Sequence, residues 1–477
     1  MRNCPFNQNQ YCVPEFTIPG FTPESRKGQA VTRKAETTRR DFLKAARGAA
    51  AVSALAGVAI PRVHAAEDGR FKLGLVGCGG RGTGAVANAL TPECNKDAVL
   101  WAMADLFPEH LESSLKTLTA TFHDRVQVPP ERRFTGYDGY RGVVENCDVV
   151  LVCVPPRFTS AITLEAVKAK RHVFFEIHAA VDVPGVSRVL EAHELSRKNG
   201  TSLVCGHVYR FHLARREAVR QIQDGRIGEI TSIQCDYMRG WYRPLAHKPE
   251  WSELAYQIRN WNWFIWLTGG DVGNTLSHNL DSALWTLGDA TLPEAAYGVG
   301  GRSTHLHHDR GTSFDNAAVV FEFPHGLMLY GFMRNANNCF NSNRDVYHGT
   351  QGRCHYRAFQ PPWITDVNGN VVWRAEESLA KQPAYEQEQI EFLDSIRTAK
   401  PLQQGKLLAD CAMACVLGQL AIYTGQQLTW KEVVESEFAY LPDGEITWDT
   451  EPPVKPGPDG LYAVPVPGET SLKSRFA

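Results

Sequence analysis

The sequence predicts an α/β protein: an N-terminal Rossmann domain joined to a C-terminal α/β domain with an open, mostly antiparallel sheet. Three observations carry that prediction. From residue 71 onward, short apolar runs alternate with helical patterns, as in a parallel sheet covered by helices. The first run leads directly into Gly77-Cys78-Gly79-Gly80-Arg81-Gly82, a glycine-rich turn that opens a helix. After residue 206 the pattern changes to strands that alternate apolar and polar residues, joined by short turns such as Pro324-His325-Gly326.

Taken in order, residues 71–76 form the first strand and 80–90 a helix of small residues. The run 99–104 is the second strand, closing at Asp105, and 107–120 is helical. Residues 148–154 read as a buried strand stopped by Pro155-Pro156. A helix over 159–170, a strand over 172–175, a helix over 184–199 and a strand over 202–205 complete the Rossmann domain, placed at 67–206. In the second domain, placed at 207–448, a helix near 215–224 precedes strands at 231–237, 295–300, 316–323, 327–332 and 345–350. Helices over 385–398 and 407–423 close its core, and 449–477 reads as an irregular tail rich in Pro and Gly.

The glycine loop has the physical parts of a dinucleotide site. Gly77 makes the tight turn, Gly79 lets backbone approach a pyrophosphate, and Gly82 permits close helix–strand packing. Cys78, Gly80 and Arg81 complete the loop. The helix N-terminus offers free N–H groups and a positive dipole end. Asp105 is placed to accept from ribose hydroxyls, and a carboxylate there repels a 2′-phosphate, so NAD is expected rather than NADP.

Composition narrows the partners. Lys plus Arg number 50 against 52 Asp plus Glu, so no global field favours nucleic acid or an anionic membrane. A small or neutral ligand is expected. Thr38-Arg39-Arg40-Asp41-Phe42-Leu43-Lys44, an apolar stretch to Ile60 and Val63-His64-Ala65 have the parts of a twin-arginine export signal over 38–65, cleaved after Ala65. The stretch is too short and too rich in Ala and Gly to be a stable membrane anchor. Residues 1–37 read as a disordered extension, and the destination as the periplasm or beyond. The cysteines from Cys78 onward show no Cys-x-x-Cys pair, and those in strand-like runs read as small hydrophobes. The run His305-Leu306-His307-His308-Asp309 lacks a second ligand cluster and reads as a polar loop, so no metal is expected.

In this order, several features resemble the Gfo/Idh/MocA family over roughly residues 71–430: the glycine loop, the Val154-Pro155-Pro156 turn, and Glu176 after its strand. So do Asp224-Gly225-Arg226-Ile227-Gly228-Glu229-Ile230, His278-Asn279-Leu280-Asp281 and Glu391-Phe392-Leu393-Asp394-Ser395-Ile396. The resemblance implies sugar or polyol redox chemistry in a cleft between the domains, with Pro155 and Glu176 against the cofactor and His278 exchanging a proton. It also implies a dimer or tetramer.

The chain departs from the family pattern at two proton-handling positions. Where the family has Glu-Lys-Pro, this chain has Glu176-Ile177-His178, and the acid usually four residues before the helical histidine is Asn274. His178 is a candidate substitute for the lysine, and Tyr209 for a proton donor beside His207. Arg210, Arg259, Asn260, Trp261 and Asp281 are candidate substrate contacts, the indole for a sugar face and the polar groups for hydroxyls. Glu176-Ile177-His178-Ala179-Ala180 is similar to the corresponding stretch of the family's NAD-dependent glycoside hydrolases. Three functions therefore stand: an exported NAD-dependent oxidoreductase of a sugar or glycoside with its cofactor tightly bound, a redox-neutral glycosidase or lyase, and a non-catalytic sugar- or nucleotide-binding protein.

Overall fold

The computed structural model describes residues 70–94, 97–303, 311–441 and 446–473. The expected N-terminal extension, the export segment 38–65 and the histidine run at 305–309 lie outside the described residues.

Six parallel strands form the first sheet: β1 (Phe71–Val76), β2 (Ala98–Asp105), β3 (Arg133–Thr135), β4 (Val149–Val152), β5 (His172–Phe175) and β6 (Leu203–Cys205). Their order is β3-β2-β1-β4-β5-β6, which reverses direction between β1 and β4. That switch point opens a crevice at the carboxyl ends of the strands. The central strands are buried on both faces, which explains their continuous apolar runs. The connecting helices are α1 (Gly80–Ala89), α2 (Pro108–Phe122), α3 (Gly139–Asn146), α4 (Pro156–Lys168) and α5 (Val183–Asn199). Pro155 caps α4 and Pro156 sits at its first position, where a missing N–H costs nothing.

The second sheet has nine strands: β7 (Ile230–Arg239), β8 (Ala295–Gly301), β9 (Asn316–Glu322), β10 (Met328–Asn335), β11 (Ser342–Gly349), β12 (Gly352–Arg357), β13 (Trp363–Asp366), β14 (Val371–Arg374) and β15 (Leu428–Thr429). Its pairings are antiparallel except β10 with β7, which run parallel. One face is covered by α6 (Leu213–Gln223), α8 (Ser277–Leu287) and α10 (Gly405–Thr424), while α7 (Glu253–Arg259) precedes α8 and α9 (Ala384–Arg397) precedes α10. On the other face the register puts Tyr297 in one row with Tyr330, and Val299 in one row with Phe332, and all four are exposed.

Two helices late in the chain return to the first domain: α9 packs on α1, and α10 on α5. α10 is long and apolar enough to cross a membrane, but it is almost wholly buried inside the protein. It is a core helix joining the two domains. The ten cysteines from Cys78 to Cys415 are free thiols, and most of them are buried.

One ion pair ties α6 to the sheet. Arg215 and Asp345 are both fully buried, with Nη1 2.7 Å from Oδ2. The guanidinium lies between the Tyr209 and Tyr356 rings, at 3.9 and 4.2 Å. Arg215→Met would strand Asp345 without its cation, and denaturant unfolding should show a loss of about 3–5 kcal/mol. An unchanged midpoint would mean that the pair contributes no net stability.

Candidate active site

The glycines of the loop divide into two kinds. Gly77 has φ +93°, and a Cβ there would lie 2.2 Å from the Cys153 carbonyl oxygen. A Cβ on Gly82 would lie 1.9 Å from the Gly77 carbonyl oxygen. These two serve packing. A Cβ on Gly79 or Gly80 would meet nothing within 4 Å, so the space before the N-terminus of α1 is open. Asp105 braces the loop: Oδ2 accepts from the Cys78 N–H at 2.7 Å, and Oδ1 accepts from the Phe107 N–H at 2.8 Å. An open cradle of backbone N–H groups, with a carboxylate at the next strand end, fits a dinucleotide.

Glu176 leaves β5 toward the same crevice. Its Oε1 lies 3.0 Å from Arg81 Nε, and the Arg81 guanidinium stacks 4.7 Å over the Tyr385 ring. Beside it, Glu388 of α9 is fully buried, and neither of its carboxyl oxygens has a partner. Burial raises both carboxyl pKa values. Arg81 opposes the rise at Glu176, while the Glu176 charge adds to it at Glu388. Sequence reading identified Arg81 and Glu176 but missed Tyr385 and Glu388, which come from a helix far along the chain.

His278 stands on α8, half-buried, four residues after the half-buried Asn274. Its ring centroid is 5.4 Å from that of Tyr209 and 6.1 Å from that of His207, and its Nδ1 is buried without a partner. Burial, and then the charge of His207, lower its pKa to about 3, so the imidazole is neutral. Burial works against a charge on His207 itself, but Asp281 and Cys411 together raise that pKa. Tyr209 donates its hydroxyl to Asn343 Oδ1 at 3.0 Å, and burial pushes its pKa up, so it remains a proton donor. Asn274 donates to Asn262 Oδ1 at 3.2 Å, next to the half-buried Trp261. Asn343 was not among the candidate residues, because an amide in a strand carries no local signal of chemistry.

Other candidates are engaged elsewhere. Arg210 donates to both oxygens of Asp281, at 3.0 and 2.8 Å, and to Asp289, so Arg210 and Asp281 bind each other rather than a substrate. His207, Asp281 and Cys411 bring possible ligand atoms within 4.8 Å of one another, with the Arg210 guanidinium already on the carboxylate. This is a buried charge network beneath His278. Asn260 is buried, bonding Leu245 N–H at 2.7 Å and the Leu245 and Tyr256 carbonyls. Arg259 points to the first domain, where it pairs with Glu109 at 2.5 Å.

His178 does not replace the lysine. It is 1% exposed, and Nε2 donates to the Thr268 carbonyl at 2.6 Å. Its ring fills the space left by Gly269 and Gly273, where a Cβ would come within 2.9 and 2.4 Å of it. Burial lowers its pKa to about 4, so it is a neutral packing residue.

The fold and site together define a protein of two sheets, one with a dinucleotide-type crevice and the other overlaid by a histidine-bearing helix. Residues 216–355 match the GFO/IDH/MocA C-terminal domain. The chain is 26% identical over 181 residues to the 2,7-anhydro-N-acetylneuraminate hydratase of Escherichia coli (strain K12), covering 38% of this chain and 44% of that one. It is 22% identical over 289 residues to the myo-inositol 2-dehydrogenase of Thermotoga maritima, covering 59% of this chain and 74% of that one. Among solved structures, an aldose–aldose oxidoreductase from Caulobacter crescentus complexed with glycerol superposes with a TM-score of 0.59 at 19% identity, over 76% of this chain and 99% of that one. A levoglucosan dehydrogenase complexed with NADH and levoglucosan gives 0.59 at 17% identity, over the same shares. The domain match thus covers residues 216–355, and over 76% of this chain the fold is that of these solved structures.

Proposed function

We propose that the protein is an exported, nicotinamide-dependent oxidoreductase acting on a sugar or glycoside and holding its cofactor tightly. The observation that carries the proposal is a neutral imidazole, His278, with an unpartnered ring nitrogen, in a protein whose other domain holds an open dinucleotide cradle. Relatives whose names specify inositol, aldose and levoglucosan chemistry support a polyhydroxylated substrate.

The residues present fit the cofactor: Gly79 and Gly80 leave room for a pyrophosphate, Asp105 suits the ribose, and Glu176 with Arg81 borders the crevice. Bound there, a nicotinamide dinucleotide supplies acceptance and return of a hydride. The chain's own part is proton handling and orientation. With Nδ1 of His278 buried, Nε2 is the nitrogen that takes the proton of the hydroxyl undergoing oxidation. Tyr209 stays protonated and holds Asn343 through its O–H, while Asn274 and Asn343 orient hydroxyls.

A second reading is a redox-neutral lyase, hydratase or glycosidase that oxidises the sugar transiently and returns the hydride within one turnover. Ile177 and the packing role of His178 leave one fewer proton carrier than the usual pattern, and the hydratase relative favours this reading. Denaturing the purified protein should release about one equivalent of nucleotide. None released would support the binding-protein alternative instead. Near-ultraviolet absorbance of reduced nicotinamide, rising with a sugar alone, supports net oxidation; cleavage of a chromogenic glycoside without that rise supports the closed cycle.

Two further expectations belong to this reading. Export rests on Arg39 and Arg40, so replacing both with Lys should leave the protein in the cytoplasmic fraction. Equal fractionation of the two forms would refute twin-arginine export. The exposed row of Tyr297, Val299, Tyr330 and Phe332 supports self-association through the open sheet face. Light scattering should give at least a dimer, and Val299→Lys should shift it toward monomer; a monomeric wild type would remove this role for the face.

A further inference from the structure

The tail beyond residue 446 carries an observation that neither the fold nor the reaction explains. Trp448 reaches the first domain, with its ring 4.9 Å from Tyr137 edge-on and 6.2 Å from Phe107. Both partners follow strand ends on one side of the switch point: Phe107 comes two residues after β2, and Tyr137 two after β3. That side, marked by Asp105, is where the adenosine half of a dinucleotide lies in this topology.

A second element crosses to the same place. Arg259, at the end of α7, lays its guanidinium 3.6 Å over the Phe107 ring and is anchored by Glu109. Phe107 is only 6% exposed, although it sits at the rim of a crevice. The Tyr137 hydroxyl is buried and has no partner. Phe107 and Tyr137, crossed by an indole and a guanidinium and holding one unmet O–H donor, suit a flat heteroaromatic ring with acceptor nitrogens.

The tail is held in place from the second domain. Gln257 Nε2 donates to the Val454 carbonyl at 2.7 Å, and the Tyr462 hydroxyl bonds Glu253 at 2.5 Å. The Tyr462 ring meets Phe264 edge-on at 5.1 Å, and the Gly468 N–H donates to the Thr424 carbonyl at 2.8 Å. Trp448 therefore belongs to a strap fastened along one domain and laid across the other.

We propose that residues 446–468, with Trp448 at the tip and Arg259 beside it, form an adenine clasp that retains the nucleotide. The clasp rests on the nicotinamide reading given above and adds what keeps the cofactor from exchanging. Adenosine leaves past Phe107, Tyr137 and Trp448, so the second domain must release its tail before the nucleotide dissociates.

The test uses the full chain, loaded and then stripped, and measures binding and release rather than turnover. Trp448→Ala should speed NAD release roughly ten- to a hundred-fold, the range expected for one lost base–aromatic contact. It should weaken ADP-ribose to a similar extent and leave nicotinamide mononucleotide, which has no adenine, unchanged. Trp448→Phe should restore most of the retention. Trp448 is nearly half exposed, so its loss should leave the unfolding midpoint unchanged, and that midpoint serves as the control. Equal release rates in wild type and Trp448→Ala would overturn the clasp and leave the nicotinamide reading intact. Tighter ADP-ribose binding in the variant would also overturn it, showing that the tail competes for the site. A wild type that binds neither NAD nor ADP-ribose would remove both readings together.

Discussion

An asparagine in place of His278 should lower turnover by roughly a hundred- to ten-thousand-fold, the usual contribution of one positioned general base. Nucleotide content and unfolding midpoint should stay near wild type. The structure separates chemistry from stability at this residue: the ring is half-buried, and the buried Nδ1 has no partner that the substitution would orphan. The pH profile gives a second, independent reading. An ordinary imidazole titrates near 6.5, but burial and the cationic His207 hold His278 at about 3, so it is already neutral well below neutrality. Wild-type kcat/KM should therefore show no acid limb at the ordinary histidine value. His207→Asn removes the neighbouring cation, which raises the His278 pKa and should move the acid limb upward. Full turnover in His278→Asn, or an acid limb that ignores His207, would remove the histidine from the mechanism.

The legible parts of the molecule are those whose physics is local. The glycine loop, the strand before it and the helix after it are contiguous, so their roles could be read from spacing alone. The two core helices were expected at 385–398 and 407–423 and lie at Ala384–Arg397 and Gly405–Thr424, because an apolar stripe or an apolar run sets its own limits. Strands β12 to β14 were missed. Gly352–Arg357 alternates Arg and His with Cys and Tyr near one edge of the sheet, where the outward face is solvated and the apolar signal is halved. The short β3 and the helix after it were missed as well, since three residues show no period.

The site divides the same way. Arg259 and Asn260 looked like substrate contacts because polar side chains beside tryptophans suit sugars, Arg210 because it follows a strand end, and Asp281 because it lies in the motif of His278. Each finds its partner elsewhere in the chain, and that pairing is a property of the fold. Glu388 joins Glu176 and Arg81 only because α9 packs back onto α1.

Gly79→Val should fold normally and purify with only a small fraction of the roughly one equivalent of nucleotide expected for wild type. Backbone strain does not enter, since φ −70° and ψ −175° are open to any residue. Nor does packing, because a Cβ at this position meets no atom within 4 Å. The added side chain fills only the space before the α1 N-terminus, so its effect reports on the ligand alone. Gly82→Ala is the contrasting case: its Cβ would lie 1.9 Å from the Gly77 carbonyl oxygen, so it should unfold the loop whether or not a nucleotide binds there. A stable Gly79→Val that keeps its full nucleotide would place the cofactor somewhere other than this cradle. A stable and empty one would show that the same open space the sequence marked with glycines is filled by a phosphate group. On the export proposed above, a folded chain that leaves the cell empty would meet no pool of nicotinamide outside, so Gly79→Val recovered from the exported fraction should stay inactive.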